Sequence, residues 1–151
     1  MKEELVGVVF PIQSQQANRI IDEGKTVFVK KTLIHPTNLK KYRLKNGMKL
    51  ILYLSGSGRT LAGEAEISNI EFLSYKEIIT KYRESLVLSE KELYDYYTTS
   101  QTQLNYKRPL LVLHLANIRK YPSGVTYHKP ISLSGEYVTE KNYDLIVRFF
   151  H

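Results

Sequence analysis

The chain has 151 residues, is 42% apolar, contains no cysteine and carries a formal net charge of +7. That length fits one domain, residues 1–151, with a real core. Without a run of about eighteen apolar residues no membrane helix is expected, and without cysteine there are no disulfides, no thiol catalysis and no thiolate-bound metal.

In chain order, Leu5-Val6-Gly7-Val8-Val9-Phe10 reads as a β-branched first strand stopped near Pro11. Ser14 is the expected N-cap of a short helix with Ala17, Ile20 and Ile21 at helical spacing, and Gly24 stands where a helix C′ glycine belongs. Thr26 to Val29 is a second strand, with Val27 and Val29 on one face and Thr26, Phe28 and Lys30 on the other. A basic connection runs from Leu33 to Gly47. Lys49 to Leu54 is a third strand, apolar enough to be buried on both faces. Ser55-Gly56-Ser57-Gly58 is a turn. A long strand follows over Leu61 to Phe72, with Leu61, Gly63, Ala65 and Ile67 on one face and Glu64 and Glu66 on the other.

Two capping boxes, Ser74-x-x-Glu77 and Ser89-x-x-Glu92, open helices with Ile78, Ile79, Tyr82 and then Leu93, Tyr96, Tyr97 turned inward. Thr98 to Asn105 is a polar link. Leu110 to Ile118 is the strongest strand, and Tyr121-Pro122-Ser123-Gly124 is a turn. Ile131 to Leu133 is a short strand, and Thr139 caps a last helix bearing Tyr143, Ile146, Val147 and Phe150. Strands outnumber crossover helices. The expected class is therefore α+β: a mixed, mostly antiparallel and partly open β-barrel with helices packed outside.

The charge is segregated. Gly24 to Gly63 holds nine Lys/Arg and no acid, and Tyr96 to Gly135 holds five and no acid; Glu64 to Asp95 between them has eight acids against four bases. A protein that holds a polyanion and releases its counterions needs such separation.

The order strand, short helix, Gly-Lys, strand, basic connection, strand resembles the PUA-like superfamily, within it the ASCH domains and small archaeal relatives. The resemblance is carried by Ile20-Ile21-Asp22-Glu23-Gly24-Lys25-Thr26-Val27-Phe28-Val29-Lys30, by Leu61-Ala62-Gly63-Glu64-Ala65-Glu66-Ile67, and by Pro109 to Leu113 with Lys129-Pro130-Ile131. It covers about two thirds of the chain, and the helices near 75–97 are an insert in the common pseudo-barrel. ASCH domains carry Gly-x-Lys-x-x-Glu-x-Arg at this junction. Lys25 matches the lysine and Lys30 stands in for the arginine, but the glutamate position falls on Phe28 and Gly24 is directly beside the lysine. Some members resemble small amidohydrolases of acylated nucleosides, whose hydroxyl nucleophile lies three residues after the lysine, again at Phe28. That departure weighs against the same chemistry.

Each candidate site residue has a plainer reading beside it. Lys25, at the rim of the sheet, can reach a phosphate or simply satisfy helix C-terminal carbonyls. Phe28 with Lys30 is the minimal stacking-plus-phosphate platform, although Phe28 fits the core better. Ser55, Gly56, Ser57 and Gly58 with Arg59 and Thr60 offer an anion nest, or only a hairpin; neither a Walker loop nor a dinucleotide fingerprint is present, so no cofactor is expected. Glu64 and Glu66 could divide acid–base work, but structural ion pairs with Lys25 or Lys30 are favoured. His35 and His114 have no ligand spacing, and no metal site is expected.

The expected function is RNA binding, or binding of a nucleotide-like anion, in the cytoplasm and without catalysis. Lys25, Lys30, Lys31, Lys40, Lys41, Arg43 and Arg59 would contact phosphates, and Phe28 or a tyrosine would stack on a base. Two alternatives are kept. One is an ASCH-type hydrolase of a modified nucleoside, with Lys25 as base, Glu64 or Glu66 as proton shuttle and Thr26 or Ser55 supplying the missing hydroxyl. The other is a pocket that reads a modified base.

Overall fold

The structure is a computed structural model and describes residues 4–30, 44–56, 58–99, 109–132 and 135–148. His35, Lys31, Lys40, Lys41, Arg43, Ser57, Leu133, Phe150 and most of the polar link after the second capping box lie outside the described residues. The elements are β1 (Leu5–Ile12), α1 (Ser14–Ile21), β2 (Val27–Lys30), β3 (Lys49–Leu54), β4 (Leu61–Leu73), α2 (Tyr75–Tyr82), a 3-10 turn (Arg83–Ser85), α3 (Glu90–Thr99), β5 (Leu110–Lys120), β6 (Glu136–Thr139) and α4 (Glu140–Val147).

The six strands form one sheet in the order β2-β5-β4-β3-β1-β6. Only β1 and β3 run parallel; the other neighbours are antiparallel. The sheet curls until β1 and β2, with three strands between them in hydrogen-bonding order, face each other. Their Phe10 and Phe28 stack, ring centroids 6.1 Å apart at 16°. This is the expected partly open barrel, and β1 and β2 meet at its seam by side chains.

Three apolar clusters follow from strand alternation. Val8, Phe10, Ile12, Phe28, Leu50, Leu52, Ala65, Ile67, Leu111 and Leu113 fill the barrel, closed at one end by Ala17 and Ile20 of α1. On the outer face of β2 and β5, Val27, Val29, Leu110 and Val112 pack against Ile78, Ile79, Leu93 and Tyr97 of the inserted helices. On the outer face of β1, β3 and β4, Val9, Ile51 and Leu61 pack against Tyr121, Val125, Tyr127 and Ile146.

Both capping boxes form as expected. The Ser74 and Ser89 hydroxyls accept from the Glu77 and Glu92 amides, and each glutamate accepts in return from the serine amide. Gly24 takes φ +71°, and Thr139 caps α4 by accepting from the Asn142 amide.

Four local expectations are corrected. Strand β1 runs through Pro11 to Ile12. The Ile12 carbonyl accepts from Ser55 on the β3 side, so Pro11 turns its nitrogen to the other flank, where pairing with β6 has already ended at Val9. The N-cap of α1 is Gln13, not Ser14, and it makes no side-chain cap bond. Leu61 joins the outer cluster instead of the barrel face, because a register shift between Leu52 and Tyr53 breaks the alternation near Ala62. Ile131 and Ser132 are not in a strand; the short strand lies at Glu136–Thr139, where Val138 pairs with Gly7 and is fully buried.

Gly135, at φ +81°, lies against the seam: a Cβ there would come within 2.5 Å of Phe10 Cε1 and 2.7 Å of the Val9 carbonyl oxygen. We therefore expect Gly135→Ala to lower unfolding stability by about 1–3 kcal/mol in urea denaturation. An unchanged midpoint would show that nothing packs on Phe10 there.

Candidate functional site

The barrel seam brings Phe10, Phe28 and Lys30 together. Lys30 is the last residue of β2 and shares the inward face with Phe28. Its ammonium lies 4.7 Å from the centroid of the Phe10 ring. No carboxylate or carbonyl among the described residues pairs with it, and no described charged group shifts its titration. A ring face favours the cation by only about 0.5–2 kcal/mol, and here desolvation outweighs it: burial pushes the Lys30 amine down to about 8. Phe28 is 6% exposed and stacked on Phe10, so it is a wall of this seam and has no face open to a base.

The other proposed cations are placed differently. Lys25 reaches the Glu84 carbonyl oxygen at 2.9 Å, on the side of the inserted helices. Arg59, itself at φ +68°, donates to the His128 carbonyl at 3.2 Å. Gly56 and Gly58 also take positive φ, so the hairpin is a left-handed turn that glycine makes cheap. Lys49 lies 3.5 Å from Glu64.

Glu64 is 3% exposed and faces outward from the barrel, beneath α4. It accepts from the Tyr121 hydroxyl at 2.8 Å and from the Tyr143 hydroxyl at 2.7 and 2.9 Å. Burial first, then the nearby carboxylate, push both phenols far above their ordinary range, so they stay protonated and donate. Glu66 accepts from Asn117 at 2.9 Å. Neither glutamate pairs with Lys25 or Lys30 among the described residues: Glu64 takes Lys49 and two phenols, and Lys25 takes a carbonyl.

Two more polar clusters went unread in the sequence. Glu71 accepts from Tyr82 and meets His114 Nε2, both at 2.6 Å. The Tyr82 bond first, then His114, hold its carboxyl below the ordinary glutamate range. Arg19 of α1 grips Glu92 with both nitrogens and donates to the Val87 carbonyl at 3.0 Å. Both tie the inserted helices to the barrel. Periodicity marks buried apolar faces but not which polar residues meet across elements, so no sequence signal distinguished them. A surface depression of about 460 Å³ at the β1–α4 edge is lined by Glu4, Glu140, Lys141, Asp144 and Leu145, a lining too acidic for a polyanion. Among the described residues no three His, Asp or Glu gather as a metal site, and no helix is long and apolar enough to cross a membrane.

Comparison with known proteins agrees with this architecture. Residues 5–140 match the family described as a domain of unknown function, DUF365. The chain belongs to that family. An uncharacterized protein of Methanocaldococcus jannaschii is 38% identical over 106 residues, which are 67% of this chain and 98% of that one. Among solved structures, a serine-to-alanine variant of the ASCH protein from Zymomonas mobilis aligns with a TM-score of 0.72 and 14% identity over 98% of this chain and 99% of its own. The unsubstituted ASCH protein aligns at 0.70 and 15% over 95% and 94%. The N-terminal domain of McrB from Staphylothermus marinus aligns at 0.57 and 19% over 98% of each. At these identities the likeness shows the fold: this DUF365 member is an ASCH-type, PUA-like barrel, as the sequence resemblance implied.

The Glu64 cluster gives a stability test. Tyr143→Phe removes hydrogen bonds to a buried carboxylate and should cost about 1.5–3 kcal/mol, seen as a lower denaturant midpoint with unchanged slope. A midpoint equal to wild type would mean that α4 is not held through Glu64.

Proposed function

We propose that this protein binds RNA through backbone phosphates and does not transform it. The observation that carries the reading is Lys30: a half-buried ammonium with no counter-charge among the described residues, set at the open seam of the barrel. An uncompensated cation in a dry setting gains more from an arriving phosphate than a solvated surface lysine does, because its water is already gone. The stretch around it supports a polyanion over a small anion. From Gly24 to Gly63 nine cations stand without one acid, and a polymer with regularly spaced charges can engage several at once.

In this reading Lys25, Lys30 and Arg59 contact phosphates, with Lys31, Lys40, Lys41, Arg43 and the Gly-rich 55–58 loop added on charge and composition alone. Lys49 is spent on Glu64 and is left out. Phe28 is buried and backs the Phe10 ring under Lys30, so base stacking passes to an exposed ring. Tyr94 on α3 is 54% exposed and lies edge-on to Tyr75. Recognition by shape and phosphates suits structured RNA.

Fluorescence anisotropy with a structured RNA across about 50–200 mM salt tests this. Lys30→Met with Arg59→Ala should weaken binding roughly tenfold whatever the sequence, and flatten the log–log salt slope by about 2, one unit per lost phosphate contact. Wild-type affinity and slope in the double variant would refute the assignment.

A further inference from the structure

We propose that α4 is the contact through which two copies of this chain associate. The two α4 helices lie antiparallel with their Leu145 side chains together, and Arg148 of each copy enters an acid-lined depression on the other. This goes beyond RNA binding and uses none of the residues assigned to it. Tyr143 and Ile146 turn inward from α4, to Glu64 and to the outer apolar cluster. The opposite face carries Lys141, Asp144, Leu145 and Arg148 at i, i+3, i+4 and i+7, all exposed. Leu145, 43% exposed, is with Tyr94 one of the two large apolar side chains left exposed among the described residues. A lone surface leucine is ordinary, but this one borders the depression of about 460 Å³ lined by Glu4, Glu140, Lys141 and Asp144.

None of these charged side chains, Arg148 included, joins an ion pair among the described residues. Three carboxylates stand around one ammonium in the depression, so it is short of positive charge. The helix macrodipole accounts for an acid at the start of α4 and an arginine at its end. It does not account for a leucine exposed between them. That order of signs makes the face self-complementary under a two-fold axis. Antiparallel pairing sets Glu140 and Glu4 of one copy beside Arg148 of the other, twice. Parallel pairing would set Glu140 on Glu140 and Arg148 on Arg148. Arg148 lies about 4.5 Å along the helix from Leu145, and Glu140 about 7.5 Å the other way; an arginine stem covers the difference. One short helix buries little surface, so the dimer is a weak one.

Sedimentation velocity of nuclease-treated full-length protein from about 1 to 200 µM tests this. The wild type should pass from monomer to dimer across that range, and Leu145→Ser should stay monomeric. Glu140→Lys and Arg148→Glu each oppose like charges at both ends of the contact and should raise the dimer Kd about tenfold or more. Mixing these two variants restores both opposite-charge pairs in the heterodimer, so the mixture should associate about as tightly as wild type. A helix merely weakened by either substitution would gain nothing from mixing. A wild type that stays monomeric throughout overturns the proposal. So does a dimer that neither Leu145→Ser nor the charge reversals weaken, or a mixture no tighter than its two components.

Discussion

An ammonium resting on an aromatic ring where a carboxylate would ordinarily stand is the constraint on which the rest of this molecule turns. Curling the sheet brings β1 against β2 without a ladder between them, so the seam is closed by Phe10 on Phe28. Lys30 ends β2 and sets its ammonium over the Phe10 ring. Its head is left in a poorly hydrated place. A fold tolerates such a group only at a cost in stability, and costs of this kind collect where function needs them.

The acids explain why no partner is supplied from within. Glu64 is sealed under α4 by two phenols and Lys49, Glu71 binds Tyr82 and His114, and Glu92 closes on Arg19. Glu66 takes Asn117, and Glu136 pairs with Lys129 at 2.6 Å. Several of these contacts cross from one layer to the next, fastening α4 and the inserted helices onto the barrel. These carboxylates are thus committed to partners elsewhere, and the 24–63 stretch, which includes β2, contains none. Segregation of charge along the chain has become segregation of roles in the fold.

Much of the architecture was legible because it rests on local rules. Alternation of Val27, Val29 against Phe28, Lys30 named both faces of β2 correctly, and Ser74/Glu77 and Ser89/Glu92 announced the helices of the insert. The Gly-Lys junction and the Gly-Glu-Ala-Glu strand carried the resemblance to the ASCH fold. Errors arose where a neighbour in space overrode the local pattern. Pro11 sits inside β1 because its free flank lies beyond the end of β6, and Thr139, read only as a cap, also ends that strand. The candidate site was half visible. Lys30 was named for its position beside an aromatic, but the ring beneath it is Phe10, which is brought there by closure of the barrel. No spacing along the chain encodes that meeting. Likewise Glu64 was expected to meet Lys25 or Lys30 and instead meets Lys49 of β3 together with Tyr121 and Tyr143, which are 57 and 79 residues away in sequence.

The most direct measurement of the central claim is an NMR titration of the Lys30 side chain, assigned by comparison with Lys30→Arg and followed through the carbon next to its amine. The account predicts a midpoint near 8 that moves upward when phosphate-bearing RNA is added, because the incoming charge stabilises the ammonium. A midpoint in the ordinary lysine range, about 10.4, unmoved by RNA, would contradict it.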